Sequence, residues 1–159
     1  MTEFGYPRAS DQVLAVRSEL ADQVVLALRT AGLPAFREDG PDGPDGPDGS
    51  DGAGAVVMVD ADAETGSAAV SVGWRCGPGV AQAALDALVA GSPGDAPAVR
   101  RPGTIALHMQ GALIGLLLSA GFLATPEHDL MNPDLVLVFG RTSDLPPALR
   151  PAFVPPGSP

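Results

Sequence analysis

Residues 39–52 read DGPDGPDGPDGSDG, with glycine at every third position and aspartate before each glycine. Gly weakens the interiors of helices and strands and Pro disrupts them, so this segment adds no regular element to a core. On an extended path of about 3.1 Å per residue, aspartates three apart lie roughly 9 Å from each other, too far to share a calcium ion. The sequence therefore predicts a flexible loop at residues 39–54. We expect a short Gly-Ser turn in place of residues 40–52 to leave the fold intact.

The clearest regular pattern is helical and lies in residues 10–32. Ser10 or Asp11 is placed to cap its N-terminus, Arg29 lies in the last turn, and Gly32 stands just past the end. The apolar positions at helical spacing are Val13, Val16, Leu20, Val24 and Leu28. They predict an amphipathic helix whose apolar stripe faces the core.

Two further helices are predicted in the second half of the chain. Residues 79–91 follow Pro78, which the first turn of a helix tolerates, and the pattern ends at Gly91. Residues 91–103 are rich in Gly and Pro and predict a loop. Residues 104–121 form the most apolar segment and predict the third helix.

Short apolar runs predict strands at residues 55–61 and 67–75, on either side of a turn at residues 62–66. Residues 33–38 and 134–140 predict one strand before and one after these. The run 67–75 alternates between two sides: Ala68, Val70, Val72 and Trp74 on one, and Ser67, Ala69, Ser71 and Gly73 on the other. One face of the sheet is therefore expected to be covered and the other only thinly covered.

In chain order the predicted elements run α-β-β-β-α-α-β. Links of hairpin length between the strands favour an α+β fold, with a small antiparallel sheet of three to four strands and three helices in two layers. A single domain is predicted at residues 10–140. An N-terminal extension at residues 1–9 precedes it, and a Pro-rich disordered tail at residues 141–159 follows it.

Charge and composition exclude several classes of function. The chain is acidic, with a formal net charge of -10, and lacks a basic cluster beyond Arg100 and Arg101, which argues against nucleic acid as a partner. The chain has no Lys, so a Walker-type phosphate loop, a pyridoxal Schiff base and a lysine-dependent kinase site are excluded. Cys76 has no disulfide partner in the chain, and the N-terminus lacks the regions of a secretory signal. We therefore expect a cytoplasmic protein.

Cys76 lies in a Gly-rich turn between a predicted strand and a predicted helix, with Arg75 before it and Gly77 and Gly79 after it. A helix N-terminus and a neighbouring guanidinium both lower the pKa of a thiol, so this turn is a candidate ligand site lined by Trp74, Arg75 and Cys76. The alternative is that the turn is only structural and Cys76 is a small buried apolar side chain. The turn lacks the spacing of a phosphate-binding loop, and we assign no catalytic residue.

His108 and His128 are the side chains best suited to proton transfer near neutral pH. Glu127, His128 and Asp129 are adjacent, but adjacent residues seldom converge on one metal ion, and no second His-rich segment supplies further ligands. We therefore expect an exposed polar loop at residues 127–129, and we predict no metal site and no cofactor.

The third predicted helix raises two questions, one about membranes and one about packing. Residues 105–124 contain no acid and no Arg and are long enough to span a membrane. Gly121 and the residues after it indicate a helix end and the entry to a strand, which favours a soluble core helix. Small residues on this helix form a groove one turn after His108, and they are Gly111, Gly115 and Ser119. The groove predicts close packing, either against the Ala-rich second helix of the same chain or against a second copy in a homodimer.

These features favour a small soluble binding or scaffolding domain without enzymatic activity, which acts through protein–protein contact or self-association. The candidate surfaces are the thinly covered sheet face and the third helix. The alternative is a small-molecule-binding domain or a weak enzyme centred on the turn at residues 74–79. The absence of an assembled catalytic motif in the sequence favours the first hypothesis.

Overall fold

The computed structural model describes residues 6–43, 52–64 and 68–150. In this part of the chain three α-helices and five β-strands form an α+β fold. The helices are α1 at Asp11–Thr30, α2 at Pro78–Val89 and α3 at Pro97–Ser119. The strands are β1 at Ala35–Arg37, β2 at Gly54–Val59, β3 at Val70–Arg75, β4 at Phe122–Pro126 and β5 at Val136–Arg141.

One mixed sheet holds the five strands in the order β1-β2-β3-β5-β4. This corrects the prediction of a purely antiparallel sheet of three to four strands. The hairpin pair β2–β3 is antiparallel as predicted, and β3–β5 and β5–β4 are also antiparallel, but β1 runs parallel to β2, with Ala35 opposite Ala55 and Arg37 opposite Val57. The predicted order lacks β4, although Gly121 and the residues after it indicate a helix end and the entry to a strand, and β4 begins there at Phe122.

The parallel pairing of β1 and β2 gives the Gly- and Pro-rich segment a structural role. Antiparallel neighbours are joined by a tight turn, whereas parallel neighbours need a crossover connection of about a dozen residues. Residues 38–53 form this connection, and residues 44–51 within it lie outside the described residues. The expectation that a short turn can replace residues 40–52 treated the segment as a simple flexible loop, and the parallel pairing of β1 and β2 argues against it.

α1 confirms the predicted helix and corrects half of its apolar stripe. Ser10 is the N-cap and its hydroxyl accepts from the Val13 amide at 3.3 Å. The second half of α1 is buried at Ala21, Val24, Val25 and Leu28. Val13 and Val16 are exposed, because Arg17 already lies at the end of β2, where it donates to the Asp60 carbonyl oxygen at 2.7 Å. The helical turns of α1 before Arg17 therefore extend beyond the end of the sheet, and Val13 and Val16 have no described strand beneath them.

α3 begins at Pro97, within the segment predicted to be a loop. Proline suits the first turn of a helix, where its missing N–H would be unpaired in any case. Pro102 lies inside α3 and removes one backbone hydrogen bond, which is why the sequence predicts a later start. The C-terminal half of the helix buries Leu113 and Leu117.

The two long helices cover one face of the sheet. α1 packs on β1 and β2, α3 packs on β3, β4 and β5, and the two helices touch each other. α2 packs on α3 and buries none of its side chains. The core between the layers contains the predicted β3 residues Val70 and Val72, together with Leu28, Leu113, Leu117 and Phe122.

Described residues on both sides of the predicted domain take part in backbone hydrogen bonds. At the N-terminal side the Ala9 amide donates to the Ala61 carbonyl at 2.8 Å, so the described part of the extension pairs with the chain after β2. Of the predicted disordered tail, the described part contains two 3-10 turns, at Thr142–Asp144 and Pro147–Leu149. Residues 1–5 and 151–159 lie outside the described residues.

Candidate functional site

The turn at residues 74–79 joins the end of β3 to the first turn of α2. Trp74 packs against the core beneath the helices. The Arg75 guanidinium lies 4.7 Å from the centre of the Phe36 ring and donates to the Gly52 carbonyl oxygen at 2.9 Å. Consecutive strand residues point to opposite faces of a sheet, so Trp74 and Arg75 do not line one pocket.

Burial raises the pKa of the Cys76 thiol above its ordinary value. Its Sγ lies 3.6 Å from the Pro102 carbonyl oxygen, to which the thiol donates. The shift is opposite to the one that a reactive thiolate needs. The geometry therefore favours the structural interpretation of Cys76.

We expect alkylation of Cys76 by iodoacetamide to show a pH inflection above that of the same thiol in the urea-unfolded chain. The thiolate is the reacting species, and desolvation disfavours it in the fold. Because the folded pKa exceeds the unfolded one, the contribution of this group to stability is present below the unfolded pKa and is lost as the pH rises through the folded pKa. Rates measured against pH in both states test this, and a lower inflection in the folded chain would restore the reactive-cysteine hypothesis.

A cleft of about 370 Å³ lies beside the turn, between the first turns of α2 and α3. Its lining residues are Gly77, Gly79, Val80, Ala83, Ala98 and Arg101. Gly77 and Gly79, two of the predicted ligand-site residues, line this cleft. The other three, Trp74, Arg75 and Cys76, are not among its lining residues. Arg101 carries the one charged side chain among these lining residues, so the cleft offers a cation and apolar walls but no general base.

The two histidines lie on different parts of the surface. His108 is exposed on α3, and His128 is exposed in the loop between β4 and β5. The Glu127 carboxylate accepts from the backbone amides of His128 and Asp129 at 2.8 and 3.1 Å, so it caps the loop backbone. Among the described residues, no three His, Cys, Asp or Glu side chains are close enough together to hold a metal ion.

The predicted interface residues all lie on the outer side of α3. They are His108, Gly111, Gly115 and Ser119, and each is exposed. A Cβ built on Gly111 or Gly115 meets no described atom within 4 Å. Close packing of this groove against α2 is therefore wrong. The contact of Cys76 with Pro102 places the start of α2 against the N-terminal part of α3 instead.

We use the name outer helical surface for the large apolar side chains of α2 and α3 that stay exposed. Its members are Leu85, Leu88, Val89, Leu107 and Leu118, and each is at least 50% exposed. α3 is also the one helix in the described ranges that is long and apolar enough to cross a membrane. This is weak evidence for a span, because core helices of soluble proteins pass the same test. The third helix was predicted as a candidate surface, but the contribution of α2 was not, although the nearly uncharged sequence of α2 is a signal for it.

The second candidate surface, the sheet face opposite the helices, is filled by side chains from several strands. Phe36, Val56 and Leu137 lie on it, and each is at most 9% exposed. Leu135 comes within 3.1 Å of the Cβ position of Gly73. The small residues of β3 on this face are therefore covered by larger side chains from neighbouring strands. The alternation within β3 alone does not indicate this cover.

No family model, curated protein or solved structure matches the chain. The exposed apolar side chains of α2 and α3 are therefore the main indication of function.

Proposed function

We propose that this chain is a non-enzymatic association domain that forms a homodimer through the outer helical surface. The observation that carries the proposal is the exposure of α3. Only 17% of its most apolar 18-residue window is buried. A soluble monomer seldom leaves a large apolar patch in water, and such patches mark sites of association.

α2 supports the same surface. It carries one charged residue, Asp86, buries no side chain, and makes its main contact among the described elements with α3. A helix that is apolar on most of its circumference is normally covered on more than one side. Covering an exposed Leu side chain is worth about 1.5–3 kcal/mol, so the members of the outer helical surface together supply a driving force for association.

Charge permits a second copy as the partner only where the contact is free of acidic residues. Each copy carries a formal net charge of -10, so two copies repel each other wherever their acidic residues meet. Residues 105–124 contain no acid and no Arg, which leaves the outer side of α3 as a surface on which two acidic copies can meet. A membrane span by α3 would pull Leu113 and Leu117 out of the core, and this disfavours lipid as the partner.

We expect Gly115→Leu to dissociate the dimer and to leave the monomer folded. Gly115 is exposed with open space around its Cβ position, and replacing a glycine inside a helix is favourable by about 0.5–1 kcal/mol. Across a dimer interface the added side chain separates the two copies. A cost of about 1–3 kcal/mol raises the dissociation constant by roughly 5- to 150-fold. Sedimentation equilibrium measures the dissociation, and circular dichroism measures the folding.

The matched control is Ala15→Leu, at an exposed position of α1. It adds the same side chain to a helix that carries no part of the outer helical surface. We expect this variant to dimerise like the wild type. A wild-type chain that stays monomeric at high micromolar concentration would contradict the proposed function, and equal weakening by both variants would contradict the surface assigned to it.

A further inference from the structure

The loop between β4 and β5, residues 127–135, holds two large apolar side chains in water. Leu130 is 91% exposed and Met131 is 83% exposed. Their backbone is ordered by side-chain acceptors, since the Asp129 carboxylate accepts from the Met131 amide at 2.9 Å. The base of the loop is closed by a bond from the Glu127 amide to the Leu135 carbonyl at 2.9 Å. The loop backbone therefore holds Leu130 and Met131 in a preformed arrangement, and these two residues are called the tip.

α3 holds this loop in place. The Gln110 side-chain amide donates to the carbonyl oxygens of Pro133 and Leu135 at 2.9 and 2.7 Å. The tip is thereby fixed relative to the middle of the helix that carries the outer helical surface. Contact through a preformed tip loses less conformational entropy than contact through a flexible one.

The charges around the tip define what it can meet. Glu127, Asp129 and Asp134 belong to the loop, which contains no Arg. A complementary surface is apolar and carries cations. The chain has such a surface at the start of α3, an open groove of about 590 Å³ lined by Asp95, Pro97, Arg100, Arg101, Thr104 and Ile105. Two guanidinium groups outweigh the single carboxylate of that lining.

The tip and the groove of one chain lie apart along α3. Arg100 precedes Gln110 by about 15 Å along the helix axis, at 1.5 Å per residue. Arg100, Leu107 and Leu118 are spaced by nearly whole turns, so they share one side of α3. Two α3 helices can touch along this side in an antiparallel pair. Gln110 of each copy then lies beside Arg100 of the other copy, and Leu107 lies near the centre of the pair. The contact is then made twice around a two-fold axis, which closes the dimer.

We propose that the tip formed by Leu130 and Met131 docks into the groove at Arg100 and Arg101 of a second copy, in a two-fold dimer with antiparallel α3 helices. This inference rests on the proposed self-association and adds the orientation of the two copies. The apolar pair enters between Pro97 and Ile105, and the loop acids face the guanidinium groups.

Site-directed crosslinking tests the contact directly. Met131→Cys and Thr104→Cys are made in separate chains that also carry Cys76→Ala, so that each chain holds one thiol. The reagent is a short bismaleimide. We expect the mixture of the two chains to give a crosslinked dimer, identified by mass spectrometry of the linked peptides, and either chain alone to give none. The matched control replaces Thr104→Cys with Ser119→Cys, which lies at the other end of α3.

The second measurement is sedimentation of the double variant Leu130→Ser, Met131→Ser, for which we expect a dissociation constant raised at least about 10-fold. A dimer that forms without the Met131–Thr104 crosslink would overturn the docking inference and leave the proposed function standing. A monomeric wild type would overturn both. A crosslink that forms equally at residue 119 would overturn the antiparallel arrangement.

Discussion

Replacing residues 40–52 with a two-residue Gly-Ser turn is expected to remove β1 from the sheet. The chain leaves β1 at Arg37, level with Val57, and must re-enter the sheet at Gly54 in the same direction. This path needs two reversals of about four residues each and a return of about 10 Å between them. A shortened link cannot supply both reversals while β1 stays paired with β2.

The loss of β1 has a large energetic consequence. Ala35 and Phe36 are buried, and the Phe36 ring packs under the Arg75 guanidinium. Exposing these groups lowers the free energy of unfolding by about 3–5 kcal/mol. Urea unfolding followed by circular dichroism measures the loss. Hydrogen exchange at the amides of Glu38 and Ala55, which bond to Val57 and Pro34 across the pair, reports whether β1 is still in place.

A variant of unchanged length separates the role of length from the role of sequence. In this control, residues 44–51 are replaced by Gly and Ser without change of length, and the described residues on both sides are kept. The ion pair of Arg29 with Asp42 at 3.4 Å is retained. We expect wild-type stability. Full stability and unchanged exchange in the shortened variant would contradict the crossover role.

Phe122→Ala is expected to lower the free energy of unfolding by about 3–5 kcal/mol, the usual cost of emptying a buried aromatic site. Phe122 is almost fully buried at the start of β4. Its ring lies under the Arg141 guanidinium, whose carbon is 4.6 Å from the ring centre. The same guanidinium donates to Gln23 on α1 at 3.2 Å and to the Ala120 carbonyl at 3.4 Å. This ring therefore supports a junction between both long helices and the last two strands.

Two comparison variants separate the ring from the junction. Phe122→Leu keeps most of the buried volume, and we expect a clearly smaller loss. Arg141→Met removes the cation and its hydrogen bonds but leaves the ring, and we expect a loss of about 1–3 kcal/mol. Thermal and urea unfolding of the three variants provide the measurement. A loss from Arg141→Met equal to that from Phe122→Ala would place the stability in the guanidinium contacts rather than in ring burial.

Sequence patterns were sufficient wherever the determining interactions are local. The Ser10 cap, the end of α1 before Gly32 and the burial of Val70 and Val72 follow from capping chemistry and periodicity alone. Proline at the start of α2 acts in the same way. These interactions join residues that are close together in the chain, so the local amino-acid sequence specifies them.

The tertiary structure decided the features that depend on which distant residues meet. The periodicity of β1 is the same for a parallel or an antiparallel neighbour, so only the pairing with β2 reveals that residues 38–53 are a crossover. The Arg75 guanidinium packs over the Phe36 ring and therefore points away from Cys76. The spacing of residues in the turn does not indicate this position.

The same distinction applies to the proposed interface. The sequence determines that α3 is apolar and carries small residues, because composition and helical spacing are local properties. It does not determine which side of α3 faces the sheet. The structure places Leu113 and Leu117 in the core and leaves Leu107, Gly115 and Leu118 outside, because burial depends on where distant strands lie beneath the helix.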